Sequence, residues 1–348
     1  MRKTKRSLFL LSLISLVWAC NTNTTSEYED TLNSNDEAIK EYFSAQSIEN
    51  AEPITLGLYK RVVYAAPTEG LSTEEKEKLK VNLNDRIAVY YTIKDLNGRI
   101  IGSHNASDGS PVVLRSNTSP GSVVPACIDN AFSGQNIGDS VVVYSAAAYA
   151  YNTIEWENNI ISNMPVITEV KIVSKVDDSE LLKLEDTAIK QYIQTKGWTD
   201  VENLMGGVRK ITLKEGTGEI PKKGETVAFE YRGTLLGGAE FDSSLDDKGT
   251  ESKEDDVQKP IVFKLGSGVI QGWNIAIETM HVGEEAVIII PSSKAYGASG
   301  NRIGATFLPA GLRDYLMNKG ELNTLPADAV LVFELKFKAS REDALLLQ

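Results

Sequence analysis

Apolar and polar residues alternate with a period of two along several stretches of the chain. Val227, Phe229 and Tyr231 alternate with Ala228, Glu230 and Arg232. Leu331, Phe333, Leu335 and Phe337 alternate with Val332, Glu334, Lys336 and Lys338. That period predicts antiparallel strands with one buried face. Val141–Tyr144 and Val287–Ile290 are short apolar runs of strand length. Helical spacing is confined to a few segments. Asp36–Gln46 and Glu185–Thr195 each begin with an acidic residue that suits a helix N-terminus, and Trp273–Met280 reads as a short helix between strands.

These elements come twice, in the same order. Ala38-Ile-Lys-Glu-Tyr42 returns as Ala188-Ile-Lys-Gln-Tyr192, and Gly57-Leu-Tyr-Lys60 as Gly207-Val-Arg-Lys210. Tyr91 is answered by Tyr231, Val123-Val124-Pro125 by Val269-Ile270-Gln271, and Ala150-Tyr151 by Ala295-Tyr296. An ordered internal repeat predicts two copies of one domain. Many strands with one short helix per copy predict an α+β class, each copy a curved antiparallel β-sheet wrapped around a short helix. The expected organisation is a first domain over 36–176 with its core at about 84–176, a helical linker over 177–206, and a second domain over 207–340.

Composition narrows the function. The 348 residues carry a net charge of −12, which argues against a nucleic-acid partner, since that would need a basic face. Two cysteines and two histidines argue against a Cys/His metal site or a disulfide framework. The basic start Arg2, Lys3, Lys5, Arg6 precedes an apolar run, Leu8–Ala19, too short to span a bilayer. The run ends in Val17-Trp18-Ala19-Cys20, which resembles a bacterial lipobox. Residues 1–19 are therefore expected to be a lipoprotein signal peptide, and Cys20 the lipidated residue with palmitate among its acyl chains. Residues 20–35 then read as the anchor and a flexible polar tether. Loss of the four basic side chains takes the charge from −12 to −16. Asn21 after the cysteine, with no acid before Glu27, fits an outer-membrane anchor facing the periplasm, the cell surface being the alternative.

The second copy carries a series of short motifs. They are Gly224-Glu-Thr-Val-Ala-Phe-Glu-Tyr231-Arg-Gly233, Gly238-Ala-Glu-Phe241-Asp242-Ser-Ser244, Phe263-Lys-Leu-Gly266 with Val269-Ile270-Gln-Gly272-Trp273, Met280-His-Val-Gly283, Ile290-Pro-Ser-Ser-Lys-Ala-Tyr296-Gly297, and Leu325-Pro326 with Ala329–Leu335. In this order they resemble the FKBP-type peptidyl-prolyl cis–trans isomerase family. The resemblance implies rotation about an X–Pro bond over a barrier of ~20 kcal/mol, with no cofactor, metal or nucleophile. It implies Trp273 as the pocket floor and Tyr231, Phe241, Val269, Ile270 and Phe333 as walls. Tyr296 would donate to a substrate carbonyl, as would the Ile270 N–H, and Asp242 would orient groups beside Tyr231. Ile261 stands where an aromatic wall is common, and Leu325 borders the substrate side. Two stretches exceed the family pattern: an acidic one at 245–259, and one at 299–324 where Pro309, Leu312, Tyr315 and Leu316 suit a small amphipathic helix, a candidate lid or docking element.

In the first copy the same positions are altered. Phe241-Asp242 is matched by Ile101-Gly102, Phe333 by Thr168, and the Trp position falls on Cys127. A folded but degenerate domain is expected there, with a binding or docking role. The sequence thus predicts a lipid-anchored prolyl isomerase acting on proline-containing unfolded or exported polypeptides. The alternative is a non-catalytic chaperone or accessory subunit of an outer-membrane assembly or secretion complex.

Overall fold

The computed structural model describes residues 23–116, 127–157, 159–238, 240–244, 259–299, 312, 325 and 327–347. The expectations for the signal peptide and Cys20, for Val123–Pro125, and for nearly all of 245–259 and 299–324 lie outside the described residues. Of the second insertion, Leu312 is described and fully buried.

Helix α1 (Asn23–Ala45) precedes strands β1 (Glu52–Thr55) and β2 (Leu58–Tyr64). Helix α2 (Thr73–Leu79) leads to β3 (Arg86–Asp95), β4 (Ile100–His104) and β5 (Val112–Arg115). Helix α3 (Cys127–Phe132), β6 (Ser140–Ser145) and β7 (Val166–Lys175) close the first copy. The second copy repeats the plan. It runs α4 (Asp178–Lys196), β8 (Glu202–Asn203), β9 (Arg209–Lys214), β10 (Thr226–Leu235), β11 (Glu240–Ser243), β12 (Ile261–Lys264), α5 (Gln271–Ile277), β13 (Glu285–Ile290) and β14 (Leu331–Ser340).

Both sheets have seven strands. The first is ordered β1-β2-β6-β7-β3-β4 with β5 also on β3, and the second β8-β9-β13-β14-β10-β11 with β12 also on β10. All these pairs are antiparallel, so the α+β expectation of two sheets of one plan holds. The alternation read in β14 is the burial pattern of the strand: Leu331, Phe333, Leu335 and Phe337 point into the core, and Glu334, Lys336 and Lys338 point out. Val332 breaks the alternation because α4 covers that side, packing Ile189 against Val287, Ile289 and Val332. Each sheet is thus covered on two faces, α5 inside and α4 outside in the second copy, α3 inside and α1 outside in the first.

Three expectations about helices are corrected. Residues 23–35, expected as part of a flexible tether, lie in α1. Helix α1 is held through its middle, where Asn35 Oδ1 accepts from Ala147 N–H at 2.8 Å, and Asp36 Oδ1 accepts from Gly57 N–H at 2.8 Å and Tyr59 Oη–H at 2.7 Å. Polar composition does not prevent a helix whose buried polar groups find such partners. Asp36 and Glu185 are consequently mid-helix and buried, not N-terminal. The true start of α4 is capped by Asp177, which accepts from Glu180 N–H at 2.8 Å, and Gly197 closes the helix at φ +69°. The stretch 177–206 is more than a linker. Leu181 and Leu184 pack on Ala88 and Val176 of the first copy, while Ile189, Tyr192 and Ile193 pack on the second sheet.

Candidate active site

The site grows from the start of α5. A Cβ on Gly272 would stand 2.3 Å from Ile290 Cγ2, so only glycine lets this turn lie on β13. That close approach seats Trp273, 3% exposed, on the inner face of the second sheet. Four rings surround it. Tyr231 and Phe333 lie edge-on at 5.2 Å between centroids, Phe263 at 5.9 Å and Phe229 at 6.1 Å. Phe241 adds an edge-to-face contact with Phe333 at 5.6 Å. Such geometry suits ring quadrupoles and fixes each ring in place. Ile261, Val269, Ile270 and Leu325 are half-buried against the same core.

Polar groups border this aromatic floor. The Tyr231 hydroxyl donates to Asp242 Oδ2 at 2.7 Å. The backbone of Tyr231 is itself fixed: its N–H donates to Ser244 Oγ at 2.7 Å, and Ser244 N–H donates to its carbonyl at 2.9 Å. A register shift between Gly233 and Thr234 lets β11 hold this geometry. Tyr296 lies 48% exposed beyond a 3-10 turn at Ser292–Lys294. Burial pushes the Tyr231 phenol up, and its bond to Asp242 and the Asp242 charge push further. Partial burial, then the Asp242 charge, raises the Tyr296 phenol as well. Both phenols are therefore protonated donors at neutral pH.

Two features escaped sequence reasoning. Phe263 belongs to the wall, and its spacing of two from Ile261 on one strand was the available signal. Gly233 is the other. A Cβ there would lie 2.8 Å from both Phe241 Cζ and Phe333 Cε1, so glycine leaves the room those rings fill. Its register partner is Phe333. The equivalent pair in the first copy is Ile93 and Thr168, so side-chain bulk has moved from β7 to β3.

The first copy differs further. Gly138 N–H donates to Ile172 O and Ile172 N–H to Asp139 O, as Gly283 N–H does to Phe337 O and Phe337 N–H to Glu284 O. Counting back from these matched turns, the residue opposite Trp273 is Ile128, not Cys127. Motif spacing alone slipped by one residue. Ile128 is fully buried, and Tyr151, in the place of Tyr296, is 1% exposed. The inner face of this domain is packed shut where the second is lined by rings. A cleft of about 660 Å³ does occur in the first domain, but on its outer face, among Tyr42, Arg61, Tyr90, Lys94 and Glu169.

The two domains meet beside Tyr296. Arg115 Nε donates to Asp328 Oδ2 at 2.8 Å and its Nη2 to Oδ1 at 3.2 Å, while Arg86 Nε donates to Oδ2 at 3.0 Å. Arg86 Nη1 also donates to Asp178 Oδ1 at 2.7 Å. Asp328 N–H donates to the carbonyl of Gly297, the residue after Tyr296.

Comparison with known proteins points to the second copy. A family model for FKBP-type peptidyl-prolyl cis-trans isomerase matches residues 217–338. FK506-binding protein 59 of Drosophila melanogaster is 38% identical over 133 residues, covering 38% of this chain and 24% of that protein. Peptidyl-prolyl cis-trans isomerase FKBP4 of Homo sapiens is 45% identical over 97 residues, 27% of this chain and 19% of that one. FK506-binding protein 1 of Candida glabrata is 40% identical over 101 residues, 28% of this chain and 80% of that one. The chain spans about a quarter or less of the first two relatives' length. Among solved structures, the three FKBP domains of wheat FKBP73 align over 84% of this chain and 99% of theirs, at 17% identity and a TM-score of 0.31.

Proposed function

Because this chain belongs to the FKBP-type peptidyl-prolyl cis-trans isomerase family, we propose that its second domain rotates X–Pro bonds in polypeptide substrates. The observation that carries this reading is the ring-lined floor at Trp273 with protonated Tyr231 and Tyr296 at its border. No bond is made or broken in the reaction, so catalysis means holding the twisted amide better than either planar isomer. Twisting localises the nitrogen lone pair and lowers the charge separation of the amide. A dry aromatic floor favours that less polar state. Tyr296 Oη–H and the Ile270 N–H donate to the flanking carbonyls, and Asp242 fixes the Tyr231 ring.

The first domain, with Ile93 and Ile128 filling its inner face, is a docking and positioning module. The lipobox-like Val17-Trp18-Ala19-Cys20 supports anchorage of the whole chain by acyl groups on Cys20, at the periplasmic face of an outer membrane. Substrates there are proline-containing exported polypeptides during folding.

A protease-coupled or refolding assay for prolyl isomerisation on the full chain tests the enzyme reading. Activity that falls about a hundredfold in Tyr296→Phe combined with Trp273→Leu supports it. A full chain that folds and leaves isomerisation at the uncatalysed rate overturns it. Incorporation of labelled palmitate that is lost in Cys20→Ala tests the anchor separately.

A further inference from the structure

Glu185 and Asn35 occupy equivalent places on α4 and α1. Each directly precedes an aspartate paired with a lysine four residues on, Asp186 with Lys190 and Asp36 with Lys40. Both are buried, Glu185 5% and Asn35 8% exposed. Both accept from the first N–H of the 3-10 turn after the matching strand. Asn35 Oδ1 takes Ala147 N–H at 2.8 Å, and Glu185 Oε2 takes Ser292 N–H at 3.3 Å.

The second half of each side chain differs. Asn35 Nδ2 donates to the Asn163 carbonyl at 3.2 Å. The counterpart of Asn163 is Asp328. Asn163 has φ +61° and Asp328 φ +59°, and each donates its N–H to the matching turn, Asn163 to Asn152 O at 2.8 Å and Asp328 to Gly297 O at 2.9 Å. Each also stands three residues before the last strand, at Val166 and Leu331. Glu185 Oε1, where the Asn35 amide nitrogen would be, is buried with no hydrogen-bond partner among the described residues. An ionised carboxylate there can only accept, and the site calls for a donor.

We infer that Glu185 is a positioning residue whose carboxyl group stands protonated, accepting from Ser292 with Oε2 and donating from Oε1 to the Asp328 carbonyl, as the Asn35 amide bridges Ala147 and Asn163. The bridge ties α4 to both segments that flank Tyr296. Its bearing on catalysis rests on the isomerase reading; the protonation itself does not.

The surroundings agree. Burial drives the Glu185 carboxyl above the usual carboxylate range, against the Ser292 bonds that lower it; the Asp328 carboxylate raises it and Arg86 lowers it. The facing charges are therefore Asp328 with its clamps Arg86 and Arg115, and, on α4 itself, Asp186 with Lys190, joined by Arg209 of β9. A carboxyl that is neutral when folded and ionised when unfolded stabilises fully below its unfolded pKa. That stabilisation is lost as pH rises through the folded pKa. Gln at this position keeps both the acceptor and the donor and does not titrate.

The test uses the full chain with carbon-13 carboxyl-labelled glutamate and a labelled Tyr296 ring signal. Expected is a resonance absent from Glu185→Gln that is still in the neutral-acid form at neutral pH, well above the ordinary ~4.3 of glutamate, with the Tyr296 signal moving in step as it titrates. Glu185→Gln should keep isomerase activity and outlast the parent in thermal stability as pH rises, and Glu185→Ala should lose about tenfold in kcat/KM at neutral pH. A Glu185 resonance already ionised at neutral pH overturns the protonated bridge. So does Glu185→Gln damage equal to that of Glu185→Ala. A Tyr296 signal indifferent to the Glu185 titration overturns the positioning role. An inactive parent with the Glu185 titration intact removes the isomerase reading and leaves the bridge standing.

Discussion

The Tyr231 hydroxyl donates to Asp242 Oδ2 across 2.7 Å, joining the edge of the Trp273 ring cluster to an exposed carboxylate. Tyr231→Phe and Asp242→Ala are each expected to lower kcat/KM about tenfold, the scale of one hydrogen bond to a charged acceptor. Because both substitutions remove one interaction, the double variant should be no slower than the worse single. A double variant that loses the product of the two effects would show two independent roles.

The two phenols are expected to set the alkaline limit of the proposed isomerase activity. Burial first, and Asp242 second, hold both Tyr231 and Tyr296 above the ordinary phenol value of about 10. Their neutral forms stabilise the fold fully below that ordinary value, and the contribution is lost as pH rises through the folded values. The pH–rate profile should therefore stay flat past about 10. A profile that falls at or below about 10 would contradict it.

Gly233 is expected to be intolerant of a single methyl group. The added Cβ would meet Phe241 and Phe333 at 2.8 Å, so one ring must shift. Gly233→Ala should cost about 1–3 kcal/mol of stability and raise KM more than it lowers kcat, since it displaces walls rather than donors. Ile93→Gly in the first domain should create no activity, because Ile128 and Thr168 still stand where the rings would be. Denaturant midpoints and Michaelis constants check both.

Asp328 couples the domains. Asp328→Asn leaves Arg86 and Arg115, both largely buried, without their shared carboxylate. Breaking such a pair is expected to cost about 3–5 kcal/mol. Calorimetry should then resolve two unfolding transitions where the parent shows stronger coupling, and isomerisation should fall because the backbone at 328, whose N–H holds Gly297, loses its side-chain clamp to the arginines. An unchanged calorimetric trace would mean that the α4 contacts alone join the domains.

Much of the second domain was legible in the chain. Its strands announced themselves because Leu331, Phe333, Leu335 and Phe337 face one core, and the motif order located Trp273, Phe241, Asp242 and Tyr296. Periodicity failed where both faces are covered, as at Val332, and where a helix is held by buried polar groups, as at Asn35, Asp36 and Glu185. Those positions look solvent-facing in sequence because their partners, such as Gly57, Ala147 and Ser292, are distant backbone groups.

The sequence by itself determined the repeat, the α+β class and the family, since these depend on local pattern and on residue types in order. Only the tertiary structure decided that Ile128 stands opposite Trp273, that Gly233 opens what Ile93 closes, and that Arg86 and Arg115 share Asp328. Those facts are register and distance between strands far apart in the chain. A shift of one residue leaves composition untouched and moves a side chain to the other face of a strand or around a helix.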